Sequence, residues 1–170
     1  MSKRGKGKPV DPLDVICKAH KECLHCASEE YGANRGDKCL GDNVLYSGVT
    51  VVSGHSHAGG SSGGYYMGRH EPTVETYCIN DADTCERAIC ECNLAFAKAF
   101  YEVKDNYNEQ YHTLYGNFDS TDQANCPSSS SSANNQCCNN ADKSSNFKWY
   151  NADKQQCCND GSVEELGQFC

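Results

Sequence analysis

The chain has no long apolar run. No stretch approaches the roughly 18–20 apolar residues that a membrane-spanning helix needs, and apolar residues make up only 38% of its 170 positions. The opening residues, MSKRGKGKPVDP, contain no apolar run of the ~7–15 residues that a secretory leader requires. The expectation is that Met1 follows a removed or missing leader; the alternative is a chain not secreted by the usual route. No Asn-x-Ser/Thr glycosylation sequon is present. Positive charge is scarce as well: 15 Lys and Arg face 23 Asp and Glu, a net charge of −8. That balance argues against nucleic acid and anionic membranes as partners. The basic cluster Lys3, Arg4, Lys6 and Lys8 reads as a solvated terminus.

Cysteine is abundant instead, at 14 residues, close to the density at which a disulfide scaffold becomes the default reading. With a thin apolar core, crosslinks worth about 2–4 kcal/mol each supply much of the stability. That chemistry requires an oxidising compartment.

Asp11-Pro12 reads as a helix start, with Asp as N-cap and Pro at the first helical position. Leu13, Ile16, Cys17, His20, Cys23, Leu24 and Ala27 recur at spacings of three and four, so the spacing predicts a helix from about residue 12 to 31. A second helix is expected over about 83–107, capped by Asp83 or Thr84, with an apolar stripe of Ile89, Cys92, Phe96, Ala99, Phe100 and Val103. VLYSGVTVV (44–52) reads as a short hairpin around Ser47-Gly48. The Gly/Ser-rich run 53–64 is a loop without the strand-then-helix setting of a phosphate cradle. After Tyr115 the composition turns to Asn, Ser, Asp and Gln, with a serine linker at 128–132.

Residues 5–24 read GKGKPVDPLDVICKAHKECL. In register, Gly5, Gly7, Pro9, Val10, Asp11, Leu13, Asp14, Cys17, His20 and Cys23 resemble the helix of secreted phospholipase A2 that carries the catalytic histidine. Cys78, Cys85, Cys90 and Cys92 match the spacing C-x6-C-x4-C-x-C of the family's second helix. The resemblance implies a mainly α fold: two long antiparallel disulfide-linked helices with a small β-hairpin, plus a small disulfide-rich C-terminal appendage. It also implies the pairs Cys23–Cys92, Cys39–Cys85 and Cys78–Cys90. One family bridge is replaced at both ends, by Ile16 on the first helix and Ala99 on the second.

The resemblance assigns roles that this chain only partly keeps. His20 stands at the position of the general base, which activates a water against a lipid ester. The calcium-binding aspartate position is Lys21, the first tyrosine position Leu24, and the histidine-orienting aspartate position Asn93. Calcium wants six to eight oxygens, and an ammonium supplies none. The calcium loop, Y-G-C-x-C-G-x-G, would have to precede Gly5. Asn93 can orient His20 but cannot stabilise an imidazolium as a carboxylate does. His20, Lys21 and Asn93 are therefore expected to be catalytically inactive, with no metal and no cofactor. An active, calcium-dependent phospholipase A2 hydrolysing the sn-2 ester through His20 is the alternative.

Other candidates are weaker. His55-x-His57, with His70 nearby, has chelating spacing in the glycine-rich loop. His25 adjoins Cys26, but neighbours on a helix point about 100° apart. Cys17 and Cys26 lie about 13.5 Å apart along a helix, too far for one bridge. Each must pair with a tail cysteine, pair with another chain, or stay reduced.

The tail, with Cys137-Cys138 and Cys157-Cys158, resembles a single double-cysteine unit of the galaxin type found in some animal skeletal-matrix proteins; a generic disulfide knot is the alternative. Adjacent cysteines suit zinc poorly. Three regions are expected: a phospholipase A2-like helix-pair domain at 1–115, a Ser/Asn-rich linker at 116–133, and the cysteine-rich tail at 134–170. The functional expectation is a catalytically inactive, secreted structural or binding module, as in otoconin-like proteins. Its partners would be proteins of an extracellular matrix or larger assembly, with weak calcium or mineral contact. Membrane disruption fits an acidic chain poorly, and an intracellular scaffold role follows only if no leader exists.

Overall fold

The computed structural model describes residues 8–32, 39–41, 44–53, 73–112, 114–116, 118–119, 122, 124–125 and 134–170. Helix α1 spans Pro12–Gly32. The Asp14 amide donates to Asp11 Oδ1 at 2.7 Å, and Val10 N–H donates back to Asp14 Oδ2 at 3.2 Å. These bonds satisfy amides that the first turn leaves open. Helix α2 spans Cys85–Val103. Thr84 rather than Asp83 caps it, accepting from the Arg87 amide at 3.2 Å. A 3₁₀ turn, Lys104–Asn106, continues it.

The expectation of a mainly α chain, with two long helices and one small hairpin, is overturned. Alongside the helices, the described residues form three separate two-stranded antiparallel sheets. Strand β1, Gly48–Ser53, pairs with β2, Thr73–Cys78. Segment 44–52 is thus not a hairpin in itself. Gly48 lies at the start of β1, opposite Cys78, and the partner strand begins at Thr73; the loop expected over 53–64 lies, beyond Ser53, outside the described residues. In the tail, β3 (Asn135–Cys138) pairs with β4 (Lys148–Asn151), and β5 (Gln155–Cys157) pairs with β6 (Val163–Glu165).

The tail strands escaped the periodicity reading for a physical reason. They are three or four residues long, rich in Asn, Gln and Cys, and too short to show alternation over the ~4–8 residues that signal needs. Tight turns define them instead. The Asp153 amide donates to Asn151 Oδ1 at 3.0 Å between β4 and β5, and the Ser162 amide donates to Asp160 Oδ1 at 2.9 Å before β6. Gly161 takes φ +80° in that second turn. A Cβ there would stand 2.7 Å from the Asn140 amide nitrogen, so the turn requires glycine.

Six disulfides join the described cysteines. Cys23–Cys92 clamps α1 to α2, Cys39–Cys85 ties the segment after α1 to the start of α2, and Cys78–Cys90 ties β2 to α2. Cys138–Cys157 and Cys158–Cys170 close the tail, and Cys26–Cys137 fastens it to α1. Cys17 is the free thiol among the described residues; Cys126 lies outside them.

The core sits where α1, α2 and the tail meet. Cys23, Cys26, Ala27, Cys39, Ala88, Ile89, Cys92 and Phe147 form one buried cluster, flanked by Leu24, Tyr31 and Trp149. Phe147 comes from the tail, so the tail shares the core of the helix pair. The predicted stripe on α2 is buried only at Ile89 and Cys92; Phe96 is half-buried and Phe100 is 40% exposed.

Candidate functional site

His20 lies on α1, half-buried, facing α2. Its Nε2 is 2.7 Å from Asn93 Oδ1. An amide oxygen only accepts, so in this pair Nε2–H is the donor to Asn93 Oδ1. No donor reaches Nδ1 among the described residues. Phe96, almost one turn after Asn93, stacks on the imidazole with ring centroids 4.5 Å apart. Asn93 and Phe96 thus fix the ring's direction and plane.

Lys21, at the next position on α1, is exposed and does not line the space beside His20. Leu24 turns the other way, half-buried against Gly41, where a Cβ would meet its methyl carbon at 3.0 Å. Of these positions the structure brings His20 and Asn93 together and leaves Lys21 in solvent.

Beside His20 opens a cavity of about 490 Å³. Val15, Ile16 and Ala19 of α1 face Ala95, Phe96 and Ala99 of α2 across it. Ile16 and Ala99, which stand where the resemblance places a family disulfide, both border this space. The remaining wall is the tail: Phe147, Trp149 and Val163 supply apolar surface, and Asn146, Lys148 and Gln155 supply polar atoms. Glu22 adds a carboxylate.

The tail is held in place by a latch at the far ends of the helices. Lys143 Nζ bridges Glu30 of α1 and Asp83 ahead of α2, the latter at 3.2 Å. Its hydrogen bonds to Glu30 and Asp83 hold the ammonium above its ordinary pKa of 10.5. Tyr31 donates to Asp83 at 3.0 Å, and burial followed by that bond pushes its phenol well above the usual tyrosine range. Arg87 on α2 donates to the Asn80 carbonyl at 3.1 Å and the Ser144 carbonyl at 3.4 Å. The Tyr31 and Phe147 rings meet edge-on at 6.4 Å.

The other candidates separate clearly. His25 pairs with Glu29 at 2.9 Å and tilts against Trp149 at 5.2 Å between centroids. Its neighbour Cys26 is bonded to Cys137, so no Cys26 thiolate exists for it to activate. Cys17 is half-buried, and burial, then the negative charge of Asp14, raise its thiol pKa, which makes it a poor nucleophile. His55, His57 and His70 lie outside the described residues. Among the described residues no three His, Cys, Asp or Glu side chains gather around a common metal position. No described helix is long and apolar enough to cross a membrane.

Sequence reasoning missed the tail's contribution to this site. The run Phe147-Lys148-Trp149-Tyr150 was its only signal, an aromatic cluster in an otherwise polar region. No known protein-family model matches the chain, and no solved structure matches it.

Proposed function

We propose that this chain is a catalytically silent, phospholipase A2-like module that serves as a disulfide-braced structural or binding element, in an extracellular matrix or assembly. The observation that carries the reading is the His20–Asn93 pair at 2.7 Å. It keeps the geometry of a base and its orienting partner, but the partner is neutral. A carboxylate there would stabilise the imidazolium that general-base catalysis creates; an amide does not.

Lys21 supports the same reading. In the resemblance its position supplies the bidentate carboxylate for calcium, and a lysine adds positive charge instead of two oxygens. Without the cation the developing oxyanion loses its main stabilisation, typically the largest contribution to rate. The six disulfides favour an oxidising compartment, and a net charge of −8 favours loose contact with calcium, mineral or basic matrix proteins.

The test is calorimetry with calcium together with a phospholipid hydrolysis assay on the oxidised chain. The expected results are no submillimolar calcium binding at His20 and no turnover, including in Lys21→Asp. Hydrolysis by the unaltered chain that disappears in His20→Ala would establish the active-lipase alternative.

A further inference from the structure

Of the two strands in the ribbon, β2 is the one that contacts α2 and is bridged to it, through Cys78–Cys90. No described strand pairs with the far edge of β1. Ile79 N–H donates to the Ser47 carbonyl at 3.1 Å, one step beyond the Gly48–Cys78 pair. Bonding in an antiparallel ladder alternates along the strand. The main-chain groups of Val49 and Val51 therefore turn toward β2, and those of Gly48, Thr50 and Val52 turn away from it. Those outward groups have no partner among the described residues.

Edge strands are ordinarily guarded by a charge, a proline or a bulge. β1 has none of these. GVTVVS contains no charged residue and no proline, its register with β2 runs unbroken, and residues 48–52 are exposed. The order of residues supplies a second observation. Positions 47–53 read SGVTVVS, nearly the same in both directions about Thr50. Laid antiparallel on a second copy with Thr50 at the centre, the segment sets Val49 opposite Val51, Val52 opposite Gly48 and Ser47 opposite Ser53. No charge meets a charge, and valine pairs with valine on the face where cross-strand neighbours come closest.

We infer that β1 is a self-association edge: two copies of this chain pair through it, antiparallel about a two-fold axis at Thr50, to give a four-stranded sheet in the order β2–β1–β1–β2. Gly48, Thr50 and Val52 of each copy then each donate and accept one main-chain hydrogen bond across the seam. Thr50 Oγ1 already lies 3.1 Å from Thr76 Oγ1 within the ribbon, and the seam extends that row of threonines across the axis. β2 is the poorer edge, since it carries Glu75 and is the strand tied to α2. A contact made by the same strand of both copies closes at two. The inference holds whether or not His20 is catalytically silent.

The full oxidised protein is followed by sedimentation velocity from roughly 5 to 500 µM, the window in which small interfaces associate, and by NMR amide hydrogen exchange at both ends of that range. The expected result is a doubling of mass with concentration. Exchange at Thr50 and Val52 should slow about tenfold, while Val49 and Val51, already bonded to β2, change less. Thr50→Pro removes only an outward N–H, and Thr50→Lys sets two ammonium groups opposite each other. Each should weaken association at least tenfold, so that if one variant fails to fold the other is read. A neutral seam between acidic chains should also tighten as salt screens their repulsion. A single mass across the whole range would overturn the proposal. So would a dimer whose Thr50 and Val52 amides stay unprotected, one that the folded Thr50 variant leaves intact, or one that salt dissolves.

Discussion

Helix α1 and the β1–β2 ribbon are each tied to α2 by one disulfide, yet they treat apolar residues in opposite ways. Between the helices, Ala27, Ala88 and Ile89 are fully buried. On the ribbon, Val49, Val51, Val52 and Val74 remain 42–62% exposed, and Cys78 is its one buried residue among those described. A two-stranded sheet has too little interior to hold itself together. The crosslink from Cys78 to Cys90 therefore replaces burial in the ribbon, whereas Cys23–Cys92 reinforces a packed interface.

The buried apolar set as a whole is largely sulfur. Among the described residues, eight of the twelve buried apolar residues are cysteines, and Ile89 and Phe147 are the large side chains among them. The thin core expected from composition is real, and crosslinks complete it.

The sharpest way to break this comparison is to remove each bridge in turn. Cys23→Ala with Cys92→Ala opens a bridge spanning 69 residues and should lower unfolding free energy by about 4 kcal/mol. Cys78→Ala with Cys90→Ala opens one spanning 12 and should cost about 1.5 kcal/mol less. Urea denaturation gives the totals. Hydrogen exchange should show the second loss confined to the ribbon. A costlier ribbon bridge would contradict the division drawn above.

Packing provides a second test. Ile89→Ala should destabilise by about 2–4 kcal/mol, through lost burial and the cavity left behind. Val51→Ala on the ribbon should stay within about 0.5 kcal/mol. Similar shifts in the urea midpoint for the two would remove the distinction between a packed and a crosslinked element.

The smallest effect is at the latch. Lys143 is 35% exposed and its partners 40% and 60%, so screening limits Lys143→Ala to no more than about 1 kcal/mol. The direction with pH is specific. Lys143 and Tyr31 both have raised pKa values in the fold. Each then contributes stability that is complete below its ordinary value, 10.5 for Lys143 and 10.0 for Tyr31, and that fades as pH climbs toward the raised value. Thermal melts should lose stability above about pH 10, and Tyr31→Phe with Lys143→Ala should flatten that alkaline slope.

Much of the helical part was legible because its signals are local. Asp11-Pro12 and Thr84 are caps that act within one turn, and the spacing from Leu13 to Ala27 needs only a helical period to place one face. The partner of β1 was not legible. Register across a long connection depends on long-range pairing, and Val49 opposite Tyr77 leaves no mark in either segment alone. The site divided in the same manner. His20 and Asn93 were placed by motif, whereas Phe147 and Trp149 became cavity wall only because Cys137 reaches Cys26, 111 residues away.

The sequence by itself determined the helices, the acidic balance, the dependence on crosslinks and the placing of a lysine directly after His20. These follow from local backbone preference, composition and side-chain chemistry, which any stretch of chain carries with it. Tertiary structure alone decided that the tail joins the core, that six short strands form three sheets, and that Lys21 faces water while His20 faces a cavity. Each of those outcomes depends on which distant surfaces meet, and disulfides between remote cysteines hold those meetings in place.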